Sequence, residues 1–383
     1  MIKNNGKDIL MTIDERTPKN AEQAVSLLRE LYSRYGYTQY KMSKFEEYDL
    51  YMRNKDFLVG DGVITFTDTD GKLMALKPDV TLSIVKNSKD GVMQKVYYNE
   101  NVYRISRSTH TFKEIMQTGL ECIGDIDVYA TAEAVLLAKK SLSAISRDSI
   151  LDISHLGVLS TLTEELGLSD DAKKAIIACV GEKNMHGIRE ICRESGADEG
   201  KTETLVSLVS AYGAPRRVME KLFSLSLGEK ANAALRELCD VIEALDAAGE
   251  LHGVNVDFSV TSDMNYYSGI VFRGFIEGIP DGVLSGGRYD KLMEKMGRRA
   301  GAVGFAVYLD LLERLDTSKK EFDADILLLY GEDAAAGEVL RAVSMLSGKG
   351  RRVLAAKARP ESIRYRELVI YRNGGFEIIE KND

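Results

Sequence analysis

Residues 101–124 read NVYRISRSTHTFKEIMQTGLECIG and predict a strand, a loop and a second strand. On the second strand, Gln117, Gly119 and Glu121 are two residues apart, so their side chains share one face. At ~3.3 Å per residue, Gln117 and Glu121 lie about 13 Å apart, and Gly119 predicts an open floor between them. An amide and a carboxylate so placed suit a small zwitterion or a nitrogen ring with an N–H. A solvent-facing strand accounts for the same pattern equally well.

The segments around this stretch predict further strands and two long helices. Residues 62–78 and 95–106 have the alternation of strands, with Thr69-Asp70-Gly71 as a hairpin turn. A helix follows Thr17-Pro18, because threonine caps helices and proline suits the first helical position, and Gly36 ends it. Asp127 predicts the cap of a helix from Val128 to about Ile145.

The pattern changes to short helices over residues 157–249, with Ser169-Asp170-Asp171 as a helix start. Strand signals return at residues 253–260 and 266–278. A glycine turn is then expected at Ser285-Gly286-Gly287, and a helix near residues 302–315.

Two domains follow from this order. A core over residues 1–318 carries the helical insertion at 157–249. A charged linker over 316–323 leads to a small C-terminal α/β domain, 322–383, with strands at DILLLY, RVLAA and ELVIYR and a helix at about 333–347. Strand runs without regular βαβ alternation predict an α+β class with an antiparallel sheet flanked by helices.

Composition excludes several classes of protein. The 383 residues allow two or three domains, and no apolar run reaches the ~18–20 residues that span a bilayer. The first 20 residues do not match a secretory signal. The net charge of −8 makes nucleic acid a poor first candidate for a partner.

The cysteines and histidines are scattered along the chain. Cys122, Cys179, Cys192 and Cys239 form no CxxC pair, and the four histidines are equally far apart. Neither set has the spacing of metal ligands, so we expect no metal site. The cysteines are expected to be reduced thiols in a cytoplasmic protein.

Three further segments carry candidate binding residues. Asp79 and Thr81, after Pro78, either accept hydrogen bonds from a ligand ammonium or form a turn that caps the next helix. Tyrosines 266 and 267 lie in a predicted strand, where paired tyrosines usually belong to the core. Residues 286–290, GGRYD, are typical of a turn into a helix.

Together and in this order, the segments resemble the class II aminoacyl-tRNA synthetase core, and specifically histidyl-tRNA synthetase, over about residues 1–320. The matching pieces are Lys77-Pro78-Asp79-Val80-Thr81, Tyr103-Arg104 with Gln117-x-Gly119-x-Glu121, Tyr266-Tyr267-Ser268-Gly269, and Gly286-Gly287-Arg288-Tyr289-Asp290 with Gly304-Phe305-Ala306. The resemblance implies a histidine pocket. The amino group of the bound histidine would be held by Asp79, Thr81 and Gln117. The histidine ring would be held by Glu121 and Tyr267, and the histidine carboxylate by Arg104. Tyr266 and Tyr289 would lie beside these residues. Asp79 stands where the family usually has Glu.

The chain departs from the family where ATP would bind. The motif 3 arginine falls on Leu311, the arginine before the tyrosine pair on Ser262, and the motif 2 glutamate on Ser106. The loop arginine falls near Thr111, and the motif 1 proline on Ser43. Leucine cannot replace a guanidinium that binds phosphate.

A retained amino-acid pocket beside a dismantled ATP site resembles the family of ATP phosphoribosyltransferase regulatory subunits. That resemblance implies a chain with no catalytic residues and no cofactor, which senses histidine and controls the first step of histidine biosynthesis. It also implies a partner, the short-form catalytic subunit, and a homodimer core within a hetero-octamer, without nucleic acid or membrane. The alternatives are a divergent histidyl-tRNA synthetase and a synthetase-like binding module of another complex.

Overall fold

The computed structural model describes residues 19–58, 62–105, 111–261, 266–315, 322–348, 350–360, 362–372 and 374–382. They belong to two compact units that divide after Leu315. The predicted domain bounds, 1–318 and 322–383, stay a prediction. Thr17 and Pro18, the loop 106–110 and residues 316–321 of the expected linker lie outside the described residues.

The first unit begins with helices and strands that lead to a long hairpin. These are α1 (Lys19–Arg34), β1 (Thr38–Gln39), β2 (Phe45–Glu47), α2 (Tyr48–Arg53), β3 (Thr65–Thr67), β4 (Leu73–Leu76), α3 (Thr81–Asn87), β5 (Gln94–Ile105), β6 (Phe112–Gly124), α4 (Val128–Ile145) and β7 (Ser149–His155).

A helical segment follows and then the chain returns to strands. The helical segment contains α5 (Leu156–Glu165), α6 (Asp170–Gly181), α7 (Met185–Glu194), α8 (Glu199–Val209), the short β8 (Tyr212–Gly213), α9 (Pro215–Phe223) and α10 (Glu229–Ala247). The returning part contains β9 (Val254–Asp257), β10 (Ile270–Ile276), β11 (Leu284–Arg288), α11 (Asp290–Lys295) and β12 (Gly301–Tyr308).

The second unit is a four-stranded sheet in the order β14-β13-β15-β16 with one helix. Its elements are β13 (Ala324–Tyr330), α12 (Ala336–Ser347), β14 (Val353–Ala356), β15 (Tyr365–Arg372) and β16 (Gly375–Lys381). Three strands and the helix were predicted, although the helix begins three residues later than expected. Strand β16 was missed, as was β7 in the first unit.

The main sheet runs in the order β1-β5-β6-β12-β11-β10-β7-β9-β8. Its pairs are antiparallel except β1 with β5 and β7 with β9. The predicted α+β class with an antiparallel sheet flanked by helices is therefore confirmed.

One face of this sheet is covered by α1 and α4. Residues such as Leu120, Val303 and Phe305 pack there with the two helices in the main apolar cluster, and burying a large apolar side chain stabilises a fold by roughly 1.5–3 kcal/mol. The Tyr32 hydroxyl lies 2.9 Å from Ser141 Oγ and joins α1 to α4. The opposite face, called the open face below, packs in part on a second apolar cluster that includes Tyr98 and Ile123, and it also holds a pocket.

Several helix ends follow the predicted chemistry. Asp127 Oδ1 accepts a hydrogen bond from Ala130 N at 2.8 Å, and α4 begins at Val128 as expected. Ser169 Oγ accepts one from Ala172 N, and Gly36 follows α1 with a positive φ of 80°. A capping side chain contacts a backbone N–H two or three residues further along the chain, so these helix starts can be predicted from local sequence.

The expected helix near residues 302–315 is wrong. Residues 301–308 form strand β12, and a 3-10 helix follows over Leu309–Leu315. The stretch GAVGFAVY has period two, with Val303, Phe305 and Val307 in the main apolar cluster. It pairs with β6 on one side and β11 on the other, and this tertiary pairing selects the strand.

The expected glycine turn at Ser285-Gly286-Gly287 is also wrong, because these residues lie inside β11. A Cβ added at Gly286 would lie 2.4 Å from Phe305 Cβ and 2.5 Å from Gly304 O. Glycine is needed there for the close approach of the neighbouring strand rather than for a turn.

Among the described residues, no helix combines the length and apolar character that crossing a bilayer requires.

Substitution Gly286→Ala tests the close packing of β11 on β12. The added methyl group meets backbone and Cβ atoms that cannot rotate away, so we expect the free energy of unfolding to fall by about 1–3 kcal/mol. Urea denaturation followed by circular dichroism measures it. The control is Gly337→Ala on α12, where a Cβ meets nothing within 4 Å. Equal midpoints for Gly286→Ala and wild type would contradict the packing argument.

Candidate functional site

A cavity of about 230 Å³ lies on the open face of the main sheet. All eight residues predicted for ligand binding line it. The polar and charged ones are Asp79, Thr81, Arg104, Gln117 and Glu121, and the aromatic ones are Tyr266, Tyr267 and Tyr289. The structure thus brings together segments that are up to 210 residues apart in the chain, from Asp79 to Tyr289.

Strand β6 supplies one wall of the pocket. Gln117 and Glu121 lie on the same face, as predicted, and are only 4% and 2% exposed. Across the strand pair, Glu121 lies opposite Gly304 of β12. A Cβ at Gly304 would lie 1.7 Å from Glu121 Oε2, so the carboxyl occupies the space that this glycine leaves.

The Glu121 carboxyl is held by two hydroxyl groups from distant segments. Thr81 Oγ1 donates to Oε1 at 2.7 Å, and the Tyr289 hydroxyl donates to Oε2 at 2.6 Å. Burial raises the pKa of Glu121 from its ordinary 4.5 to about 8, against the lowering effect of these two hydrogen bonds. The nearby Asp79 raises it further. This carboxyl is therefore mostly protonated at pH 7 and loses its proton around pH 8.

Asp79 has the turn contact that the sequence offered as one alternative, and its role towards a ligand stays a prediction. Its Oδ1 accepts a hydrogen bond from Leu82 N at 2.8 Å in the first turn of α3, and the residue also lines the pocket. Asp79 and Thr81 do not lie on an extended segment, since α3 begins at Thr81. Burial raises the pKa of Asp79, while the Leu82 hydrogen bond and the Arg104 charge lower it.

The segment that carries Asp79 is fastened to strand β5. Arg104 Nε donates to Pro78 O at 2.9 Å, and Tyr103 N donates to Lys77 O at 2.9 Å. Lys77 is buried and forms an ion pair with Glu100. These contacts position the Arg104 side chain at the pocket and hold Asp79 beside it.

The tyrosine pair closes part of the pocket but does not lie on a strand, contrary to prediction. Residues 266–269 precede β10, which begins at Ile270, and Asn265 lies outside the described residues. The rings of Tyr266 and Tyr267 have centroids 4.8 Å apart, and those of Tyr266 and Tyr289 are 5.7 Å apart. The Tyr266 and Tyr267 rings pack edge to face, and the Tyr289 ring is tilted against Tyr266.

The open floor expected at Gly119 is wrong. A Cβ there would lie 2.2 Å from Phe305 O and 2.6 Å from the Tyr98 hydroxyl oxygen. Tyr98 faces Gly119 across the β5–β6 pair, and it was not among the predicted site residues. The absence of a side chain at Gly119 makes room for this ring rather than for a ligand.

Sequence reasoning also missed Arg273, Ser285 and Tyr308, which line the same cavity. Arg273 is on β10, Ser285 on β11 and Tyr308 on β12. Their place in the pocket depends on the order of strands in the sheet, and no local pattern in the chain reveals that order.

The ATP-side departures have different outcomes. Leu311 is partly buried against the main apolar cluster, so this position is part of the packing. Ser43 Oγ accepts a hydrogen bond from Phe45 N at 3.1 Å. Ser106 and Ser262 lie outside the described residues.

The pocket therefore combines buried acceptors with donors. Asp79 and Glu121 can accept from an ammonium or a ring N–H, and Arg104 can donate to a carboxylate. This arrangement suits a small zwitterion that carries a nitrogen ring.

Comparisons with known proteins agree with this fold. The chain is 29% identical over 339 residues to the ATP phosphoribosyltransferase regulatory subunit of Clostridium kluyveri, covering 85% of each protein. This bears out the similarity inferred from the motifs. An ATP phosphoribosyltransferase regulatory subunit/histidyl-tRNA synthetase from Bacillus halodurans has a similar fold, with a TM-score of 0.75 at 24% identity over 92% of this chain and 94% of that one.

A chain of the ATP phosphoribosyl transferase (HisG:HisZ) complex from Thermotoga maritima has a TM-score of 0.60 at 19% identity, covering 76% of this chain and 97% of that one. The family model described as histidyl-tRNA synthetase matches residues 12–312. With a match over most of its length and the corresponding fold, the chain belongs to the histidyl-tRNA synthetase family.

Proposed function

We propose that this chain is a non-catalytic regulatory subunit of ATP phosphoribosyltransferase that binds histidine in the pocket and controls the first step of histidine biosynthesis. The observation that carries the proposal is the buried Glu121 carboxyl, held by Thr81 and Tyr289 in the cavity that Asp79 also lines. Similarity to the regulatory subunit of Clostridium kluyveri supports the same assignment.

Histidine matches the pocket group by group. Asp79, Thr81 and Gln117 offer oxygen atoms to the ammonium group, and Arg104 offers a guanidinium to the carboxylate. Glu121 and Tyr267 would face the imidazole, whose N–H can donate to the carboxyl. Because Glu121 changes its protonation near neutral pH, it can either accept from the ring or donate to it.

Leu311 favours the regulatory role over the alternative of a divergent synthetase. A synthetase needs cations around ATP to stabilise the charge that develops on the α-phosphate. Leu311 is instead packed against the apolar core and carries no charge. A regulatory subunit needs the amino-acid pocket and not the phosphate clamp.

The proposed partner is the short-form catalytic subunit of ATP phosphoribosyltransferase, which joins ATP and phosphoribosyl pyrophosphate. The proposed assembly is a hetero-octamer built on a homodimer core, in the cytoplasm. The HisG:HisZ complex of Thermotoga maritima, whose matched chain shares this fold, supports a catalytic partner. Histidine would act by favouring a less active arrangement, and such coupling typically amounts to ~1–3 kcal/mol, or 5–150-fold.

Histidine binding is tested with the wild type and Asp79→Asn by isothermal titration calorimetry. Asparagine can still accept the hydrogen bond from Leu82 N but offers no negative charge to the ammonium, so we expect Kd to rise at least about tenfold. The control is Asp49→Asn, an exposed position outside the pocket that pairs with Arg53. An unchanged Kd in Asp79→Asn, or no binding by wild type at millimolar histidine with and without the partner, would refute the assignment.

The pH dependence of stability tests the buried state of Glu121. Its folded pKa of about 8 exceeds the ordinary 4.5, so folding takes up a proton between these values. The stabilisation is fully present below pH 4.5 and is lost as the pH rises to about 8. Wild type should therefore lose stability relative to Glu121→Gln between pH 5 and 8, by at most about 5 kcal/mol.

Urea denaturation at four pH values across this range measures the difference. Burial also raises the pKa of Asp152, to about 6. Because Asp152 is present in both proteins, its contribution to the pH dependence cancels in the comparison. Parallel stability curves for wild type and Glu121→Gln would mean that the carboxyl is hydrated or already ionised.

The regulatory role is tested by co-expressing the chain with a short-form catalytic subunit. We expect the two to co-purify, the complex to be more active than the catalytic subunit alone, and histidine to inhibit it. Asp79→Asn should keep the activation but need about tenfold more histidine for inhibition, because the pocket lies in this chain. Failure to co-purify, or full activity of the catalytic subunit alone, would favour a binding module of another complex.

A further inference from the structure

The open face of the main sheet carries a row of residues that runs across four strands. In register, Gly119 of β6 lies opposite Ala306 of β12, which lies opposite Ser285 of β11, which lies opposite Arg273 of β10. The first three positions of this row, at Gly119, Ala306 and Ser285, have small side chains or none. Arg273 therefore stands as the first long side chain on that side of the pocket.

The Arg273 side chain has a defined course. A Cβ at Gly282 would lie 2.2 Å from Arg273 Nε and 3.0 Å from its Cγ, so the side chain crosses the space that this glycine leaves. Its Cζ lies 5.4 Å from the centroid of the Phe275 ring. The side chain is exposed to solvent yet lines the same cavity as Glu121. Glycine on one side and an aromatic ring on the other thus orient the guanidinium.

Arg104 reaches the cavity from the opposite edge, on β5, where its Nε is bound to Pro78 O. Between the two arginines, Gln117 of β6 and Tyr308 of β12 face each other in register. Glu121 lies four residues farther along β6. The cavity is therefore lined by arginines from two strands, β5 and β10, with Glu121 on a strand between them and Asp79 beside Arg104.

We propose that Arg273 is a specificity-determining residue that binds, together with Arg104, the carboxylate of the amino-acid ligand. This inference rests on the proposed histidine binding and assigns a residue to the group at the other end of the ligand. A carboxylate bound between these two arginines would receive charge-assisted hydrogen bonds from both guanidinium groups.

Histidine and histidinol separate this role from a general effect on the pocket. Histidinol has the same ring and amino group but an alcohol in place of the carboxylate. We expect Arg273→Gln to weaken histidine binding at least about tenfold and to leave histidinol binding nearly unchanged. The Kd of Arg273→Lys for histidine should lie between those of wild type and Arg273→Gln, because lysine keeps the charge without the planar guanidinium. Calorimetry on the full chain measures each Kd, with Arg236→Gln, an exposed arginine of α10, as the control.

The outcomes distinguish this inference from the function on which it rests. Wild type that binds neither ligand overturns the histidine pocket and Arg273 with it. Wild type that binds histidine, with Arg273→Gln changing both ligands equally or neither, overturns the role of Arg273 alone. A selective loss of histidine affinity in Arg273→Gln, and not in Arg236→Gln, establishes it.

Discussion

The Glu121 carboxyl is the interaction on which the pocket depends, because three distant parts of the chain meet at it. Thr81 at the start of α3 and Tyr289 after β11 each donate a hydroxyl to one of its oxygens. A carboxyl group taken out of water is costly unless its hydrogen bonds are satisfied or its charge is neutralised. Both hydroxyls and the raised pKa meet this condition here. The positions of the strand, the helix and the tyrosine cluster are thereby coupled.

Glycine placement makes that interaction geometrically possible. Gly304 leaves room for the carboxyl, Gly119 for the Tyr98 ring, and Gly282 for the Arg273 side chain. Each of these glycines accommodates a functional or packed side chain from a neighbouring segment. A side chain at any of the three would need the neighbour to move, so the shape of the pocket is set as much by missing Cβ atoms as by the groups that line it.

The residues expected on the amino-acid side and those expected on the ATP side have different surroundings in this fold. The amino-acid side keeps its acceptors and donors in one cavity. On the ATP side, Leu311 packs into the apolar core. Because function belongs to the site and not to the fold, a synthetase-like sheet can serve different activities, depending on which charged groups line it. Arg273 adds a cation to this face from a strand whose contribution only the pairing order reveals.

The sequence by itself determined the α+β class, the capped helix α4, the shared face of Gln117 and Glu121, and eight of the residues that line the pocket. These features depend on period-two patterns, on caps that act over three residues, and on an ordered set of family motifs. Only the tertiary structure decided that residues 301–308 form a strand, that Gly286 lies inside one, and that Tyr98 and Arg273 reach the cavity. The physical reason is that strand order and register bring together residues whose local sequence carries no sign of their neighbours.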